Sequence, residues 1–190
     1  MGLISKVRCA LNNAASASAF KMITEQGNGF YYWNGKLYES DIIRSCIRPY
    51  AKAIGKLKAK HVRDNNTILV NPDAYMKFLL EEPNPLMSGQ VMQEKVATQL
   101  ALNNNAFILI VRDGNGIPQQ QYPIPANAVE AKYYNENLYL KFYFMNGNHA
   151  TFPYTDIIHL RNDFNDNDIF GESPKQALEP LMNIISTTDQ

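Results

Sequence analysis

The spacing of the hydrophobic residues changes character close to residue 105. Before that point they recur at helical intervals, which is the pattern of helices with one buried face. After it, Leu138, Leu140, Phe142 and Phe144 alternate with other residues, which is the period of a half-buried strand. The change predicts a chain whose helices precede its strands, and therefore an α+β fold class.

Capping residues and prolines divide the first part of the chain into three predicted helices. Ser40 is a suitable N-cap for the first helix. Pro49 lies inside that helix and is expected to kink or split it, because proline has no N–H to donate. The second helix is expected to open at residues 71–73. The third is expected to follow Ser88 and to end at the asparagines 103–105, since asparagine tolerates a left-handed cap.

Turn signals divide the second part into short strands. The segment 112–116 predicts a hairpin turn between strands at 107–111 and 119–124. Further strands are expected at 129–134, 138–145, 151–152 and 157–160. Together they predict a mainly antiparallel β-meander. Ser173 and Pro174 are suited to the N-cap and first turn of a closing helix.

Residues 1–40 are expected to form a flexible lead-in, because small polar residues and glycines dominate much of the segment. Its aromatic run at 30–33 is more typical of a patch that docks the segment on the core or on a neighbour. A base-stacking surface would be expected to carry interleaved basic residues. Residues 41–190 are expected to form one α+β domain.

The charge balance argues against a general DNA-binding domain. Lys and Arg number 18, and Asp and Glu also number 18, so the formal net charge is zero. Proteins that hold DNA through its phosphates usually carry a basic excess. Cys9 and Cys46 form neither a disulfide framework nor a zinc site, and no apolar run is long enough for a signal peptide or a membrane span. We expect an intracellular origin and no membrane partner.

The sequence contains no recognisable constellation of reactive groups, so we expect no catalytic, cofactor-binding or metal-binding residues. Two alternatives remain open. One is a small nucleic-acid-binding module that uses aromatic and basic residues: Tyr31, Tyr32, Trp33, Lys52, Lys56, Lys58, Lys60, His61 and Arg63. The other is a metal-dependent hydrolase with four ligand or catalytic candidates: His159, Asp163, Asp166 and Asp168.

Four segments, in order over residues 41–186, resemble the portal proteins of long-tailed bacteriophages. The first lies in the first predicted helix, the second is the double-proline segment 79–88, and the third runs through the hairpin at 105–125. The fourth joins the last predicted strand to the start of the closing helix. The residues that carry the resemblance are Cys46, Ile47, Pro83, Asn84, Pro85, Asn105, Ala106, Arg112, Asp113, Gly116, His159, Arg161, Gly171, Ser173 and Pro174.

Two residues depart from the family pattern. Asn104 stands where the family usually has glycine, and Tyr122 replaces a leucine. Asparagine can adopt the same left-handed backbone conformation as glycine, and Tyr122 bears only on packing.

The resemblance implies a structural protein and not an enzyme. It implies a homo-oligomeric ring, usually dodecameric, at one capsid vertex, through which double-stranded DNA is packaged and ejected. Its implied partners are the terminase, which would hydrolyse the ATP, the capsid and the head–tail connector proteins. The implied location is the virion, with assembly in the host bacterial cytoplasm. Because portals of this family are longer, residues 41–190 are expected to form the wing, truncated before the stem and clip.

Overall fold

The computed structural model describes residues 41–64, 67–163, 169–172, 174, 178 and 180, and the backbone of two short strands nearer the N-terminus. The helices are α1 (Asp41–Gly55), α2 (Ala74–Glu81) and α3 (Gly89–Asn103). The first four strands are β1 (Lys21–Met22), β2 (Phe30–Tyr32), β3 (Val62–Asp64) and β4 (Ile68–Val70). The others are β5 (Asn105–Arg112), β6 (Pro118–Pro123), β7 (Ala128–Tyr134), β8 (Asn137–Tyr143), β9 (His149–Pro153) and β10 (Ile157–Arg161).

The predicted caps of α3 and the predicted start of α2 after residues 71–73 are confirmed. The Asp73 carboxylate accepts hydrogen bonds from two backbone N–H groups in the first turn of α2, at 2.9 and 3.3 Å. Ser88 is the N-cap of α3, and Asn104 ends that helix with a left-handed φ of 53°. The expected split of α1 at Pro49 is wrong, because the helix continues through the proline to Gly55. Because Pro49 has no N–H, the carbonyl of Ser45 has no helical hydrogen-bond partner. Both residues are exposed, so water can hydrogen-bond that carbonyl.

The strands pair antiparallel throughout, as predicted, but they form two larger sheets and not a single meander. One sheet has the order β10-β5-β6, and the other has β7-β8-β9 with β1 and β2 both paired to β7. The chain passes from the first sheet to the second at 124–127, between the end of β6 at Pro123 and the start of β7, and Pro125 in this connection has no N–H for strand pairing.

The main core lies where side chains of both larger sheets meet. Val129, Leu140 and Phe142 are fully buried there, with 0% exposure. Phe107 and Ile157 enter the same core from β5 and β10. Burial of each such side chain contributes on the order of 2 kcal/mol. A second apolar cluster, which includes Met92, Val96, Ala106 and Ile108, packs α3 against β5.

The strands β3 and β4 form a hairpin that the sequence analysis missed. The basic residues at 52–63 do not lie on a single helix, because α1 ends at Gly55. Lys58 and Lys60 lie in the exposed connection that follows, and Arg63 lies in β3. Gly55 and the β-branched residues beyond it explain why strands follow α1 here. Glycine disfavours continuation of the helix, and β-branched residues favour extended backbone.

Two predictions fall largely outside the described residues. Apart from β1 and β2, residues 1–40 are not described, and the aromatic Trp33 is among them. Of the closing helix only positions 174, 178 and 180 are described, and Ser173 is not. In the part of the chain that the structure describes, no helix has both the length and the apolarity needed to cross a membrane.

Candidate functional site: an asparagine corner

The junction between α3 and β5 carries a buried hydrogen-bond network, which we call the asparagine corner: Asn104, Asn105, His159, Asp163 and residues 171–172. Asn105, which is 2% exposed, is its centre. Its Nδ2 donates to the carbonyls of Asn103, at 3.0 Å, and Gly171, at 2.8 Å. Its Oδ1 lies 2.9 Å from the Gly171 N–H and 3.0 Å from His159 Nε2. All four hydrogen-bonding positions of the amide are therefore occupied.

These contacts fix which ring nitrogen of His159 carries the hydrogen when the ring is neutral. Because Asn105 Nδ2 faces two carbonyls, its Oδ1 must face the ring, and Nε2 must carry the hydrogen that it donates. Nδ1 then holds a lone pair, which lies 3.4 Å from the Tyr154 hydroxyl. The ring also stacks on Phe107, with centroids 4.4 Å apart. Burial, and secondarily the charge of Arg161, lowers the pKa of His159 to about 4. The ring is neutral at physiological pH.

Asn104 ties the same corner to the segment that follows β10. Its Nδ2 donates to the Asp163 carboxylate and to the Glu172 carbonyl, both at 2.8 Å. Its own carbonyl accepts from the Asn162 N–H at 2.9 Å. Arg161 adds a further link, because its Nη1 donates to the Ile169 carbonyl at 2.8 Å. The corner thus joins chain segments that are about sixty residues apart in sequence.

Gly171 is required at this corner for steric reasons. A Cβ at this position would collide with the carbonyl oxygens of Asn162 and Asn104. Those oxygens belong to backbone that hydrogen bonds hold in place, since Asn104 O accepts from Asn162 N–H. No larger residue can therefore occupy position 171 without displacing the chain.

The second group of resemblance residues closes the outer edge of β6. The Gln121 N–H donates to the Pro83 carbonyl at 2.8 Å, and Asn84 Nδ2 donates to the Gln121 carbonyl at 2.7 Å. Asn84 Oδ1 accepts from the Leu86 N–H at 2.9 Å. Pro83 and Asn84 are buried, whereas Pro85 is exposed and favours extended backbone at Asn84, the residue before it.

The third group holds the β5–β6 turn. Asp113 accepts hydrogen bonds from the N–H groups of Asn115 and Ile117, at 2.9 and 2.8 Å, and Gly116 has a left-handed φ of 82°. Arg112 Nε donates to Asp156 at 3.0 Å, and Arg112 Nη1 donates to the Gly116 carbonyl at 3.1 Å. The arginine therefore fastens the turn to the short 3₁₀ segment before β10.

The structure brings together some of the resemblance residues and leaves others apart. Asn105, His159, Arg161 and Gly171 meet at the corner, and Ala106, with 0% exposure, packs directly beneath it. Cys46 is exposed on α1, and Ile47 is half-buried beside it. Ser173 lies outside the described residues, and Pro174 is partly buried.

Sequence reasoning missed several partners of these residues. Tyr154, Phe107 and Gln121 contact His159 or Asn84, yet no local pattern distinguishes them from other core or strand residues. Asp156, which pairs with Arg112, was also missed. An acidic residue just before a strand is a reasonable candidate for such a pair. Most of these contacts join residues that are far apart in sequence, such as Asn84 with Gln121 and Arg112 with Asp156.

The metal-hydrolase alternative has no geometric support in the structure. Both ring nitrogens of His159 have neighbours, and Asp163 accepts from Asn104. Within the described ranges, no group of three or more His, Cys, Asp and Glu side chains could hold a metal ion. Asp166 and Asp168 lie outside those ranges.

The basic residues of the nucleic-acid alternative lie on different elements of the structure. The basic residues at 52–63 spread over the end of α1, an exposed connection and β3, so they do not share a helix face. Tyr31 and Tyr32 lie in β2, whose backbone pairs with β7 at Val129 and Ala128.

Chains from solved structures of gene transfer agent (GTA) particles have a similar fold. A chain from the neck of an empty GTA particle, computed with C6 symmetry, matches with a TM-score of 0.62 and 17% identity, covering 92% of this chain and 46% of that one. A chain from the neck of the native GTA particle, computed with C12 symmetry, matches with a TM-score of 0.61 and 16% identity, covering 93% and 47%.

A chain from the virion of the native gene transfer agent particle matches with a TM-score of 0.62 and 16% identity, covering 94% and 46%. The present chain thus spans less than half the length of these structural neighbours. No curated protein sequence matches it.

The sequence itself identifies the family. The family model described as phage portal protein matches residues 41–190, which is most of the chain. The chain belongs to the phage portal protein family.

Proposed function

We propose that this chain forms part of a portal subunit, and that copies of the subunit assemble into a ring at one vertex of a phage capsid. Double-stranded DNA would pass through the ring during packaging and ejection. The ring would bind the terminase during packaging and the head–tail connector proteins later. It would also contact the capsid. We propose twelve subunits, a location in the virion and assembly in the host bacterial cytoplasm.

The observation that carries this proposal is the family match over residues 41–190. The structure supports a mechanical role for the residues behind the resemblance. Asn105, His159 and Gly171 have their polar groups bonded to one another, so they hold the fold together and leave no reactive group exposed. We therefore propose that the chain is not an enzyme and needs no cofactor, and that the terminase supplies the energy of packaging.

We further propose that residues 41–190 form the wing of the subunit and residues 1–40 its lead-in. The corner suits a wing, because its hydrogen bonds link the end of α3, β5, β10 and the segment after β10 to one another. A rigid outer body keeps neighbouring subunits in a fixed orientation, which a closed ring requires.

Negative-stain electron microscopy tests the proposal directly. The chain would be imaged beside the full-length gene product, both purified at the same concentration. We expect closed rings with a central hole from the full-length product. Monodisperse monomers in both samples would contradict the proposed function while leaving the fold unaffected.

Binding of a labelled double-stranded DNA at low and at physiological salt separates this proposal from the nucleic-acid alternative. We expect weak binding to the isolated chain at both salt concentrations, because its formal net charge is zero. Tight binding that falls steeply with added salt would favour the nucleic-acid module.

A further inference from the structure

The β3–β4 hairpin exposes an unusual amount of apolar surface. Val62, Ile68 and Val70 are 53%, 68% and 53% exposed. Val62 pairs with Val70, and Asp64 pairs with Ile68. Because paired residues share a face and alternate residues return to it, these four side chains lie on one face of the hairpin, with Leu69 on the other. One face is therefore apolar with a carboxylate at the turn end.

Nothing in the described part of the chain covers that face. The two strands pair only with each other, and none of the described helices or larger sheets packs extensively against them. Hydrogen bonds between His61 and Asn71 close the base of the hairpin. A two-stranded sheet is marginally stable in water, and a concentrated apolar surface marks an interaction site. The hairpin has the features of a docking element.

The same chain carries an open groove with complementary properties. It lies between α1 and α3, is bounded by Pro123 and Pro125, and has a volume of about 510 Å³. Its lining is mostly apolar. Three cations stand at the groove, all exposed and without an ion pair to any described residue: Arg48, Lys52 and Lys95. Its one carboxylate, Glu94, accepts a hydrogen bond from Gln90 at 3.1 Å.

We propose that the β3–β4 hairpin of one copy of this chain docks into the α1–α3 groove of the next copy. The proposal rests on the proposed ring. A cyclic ring needs two different patches on each subunit, which meet at every interface. The hairpin and the groove are two such patches, one protruding and one concave. Ile68 and its valine neighbours enter the apolar part of the groove, and Asp64 meets the cations.

Chemical cross-linking between copies tests the contact. In a background in which every native cysteine, including Cys9 and Cys46, is replaced by serine, one full-length protein carries Ile68→Cys and another carries Val91→Cys, which places a thiol at the groove. The two are mixed, assembled and treated with a short bismaleimide. We expect a covalent dimer from the mixture and none from either protein alone. Rings that give no cross-link in the mixture overturn the proposal, as does cross-linking of the Ile68→Cys protein with itself.

Charge substitutions on the two faces of the hairpin give an independent test. We expect Ile68→Asp to reduce the fraction of subunits in rings by roughly tenfold or more, because a charge would enter the apolar contact. Leu69→Asp, the adjacent residue on the opposite face, is the matched control and is expected to leave ring formation unchanged. Circular dichroism of both variants checks that the subunit is folded.

The outcomes of this second test are distinguishable. Normal rings from Ile68→Asp overturn the hairpin contact and leave the proposed function intact. Equal loss of rings in both variants also overturns it, since the effect would not depend on the face. Absence of rings from the unsubstituted full-length protein contradicts the proposed function and the hairpin contact with it.

Discussion

The asparagine corner and the β3–β4 hairpin differ in the sequence distance that their contacts span. At the corner, Asn105 binds a residue 66 positions away through buried groups. In the hairpin, pairing joins residues 62–64 to 68–70, and the side chains remain exposed. Several residues behind the family resemblance lie at the corner, and none lies in the hairpin. The contacts of the corner stabilise the fold of one subunit, whereas the proposed contact of the hairpin stabilises the assembly of two subunits.

At the corner, Gly171→Ala is expected to cause the largest loss in the free energy of unfolding. The added methyl would collide with two backbone carbonyls, so we expect a loss of about 4 kcal/mol in the free energy of unfolding. Urea denaturation followed by circular dichroism measures it. Gly114→Ala is the control, because a Cβ there meets nothing within 4 Å, and we expect a change within about 1 kcal/mol of zero. Similar losses in both variants would contradict the steric argument.

A slightly smaller loss is expected from Asn105→Ala. The substitution leaves the N–H and carbonyl of Gly171 and the Nε2 of His159 without their partner, at a cost of about 3 kcal/mol. The same denaturation experiment measures it. Asn137→Ala removes one exposed hydrogen bond to Asn135 and should cost less than about 0.5 kcal/mol. If the two variants were equally stable, the corner would not be the element that holds these segments.

The stability of the corner should depend on pH through His159. Its pKa is about 4 in the folded protein and 6.5 for an unperturbed histidine, so the unfolded chain binds more protons between these values. The contribution of the neutral ring is complete above about pH 6.5 and is lost as the pH falls towards 4. We expect this loss to reach about 2 kcal/mol, allowing for partial exposure of the ring.

The variant His159→Gln isolates this effect from other acid titrations. Glutamine keeps an N–H donor for Asn105 but cannot gain a proton in this range. Urea denaturation of both proteins at pH 7.5, 5.5 and 4.5 would show the unsubstituted protein losing more stability on acidification (about 2 kcal/mol more). Parallel curves for the two proteins would remove His159 from the explanation.

The smallest effect is expected in the hairpin. Leu69 is 47% exposed, so Leu69→Ala should change the unfolding free energy of the isolated chain by less than about 0.5 kcal/mol. Leu140 has 0% exposure, and the same truncation there should cost about 3 kcal/mol. A comparable loss at Leu69 would show that another part of the same chain covers the hairpin.

Local signals in the sequence were sufficient for the caps and the β5–β6 turn. Asp73, Ser88 and Asn104 act on backbone groups a few residues away, so their roles follow from residue type and position alone. Asp113 and Gly116 likewise hold a turn that their own chemistry favours. The order of helices and antiparallel strands was predicted on the same basis.

Local sequence signals do not predict which distant residues contact each other. No local pattern indicates that Asn105 pairs with Arg161 across two strands, and it is this pairing that brings Gly171 to the corner. The β3–β4 hairpin was missed for a different reason. The β-branched residues Val62, Ile68 and Val70 carry a strand signal, but each strand is only three residues long.

The capped edge of β6 has a consequence for molecules held at high local concentration. Subunits in the proposed ring would stand side by side, and an open strand edge could recruit a second chain and extend the sheet without limit. At Gln121 the N–H and carbonyl of the outer edge are already bonded to Pro83 and Asn84. Growth by strand addition is therefore blocked at that point of β6, which favours assembly that stops at a fixed number of copies over open-ended polymers.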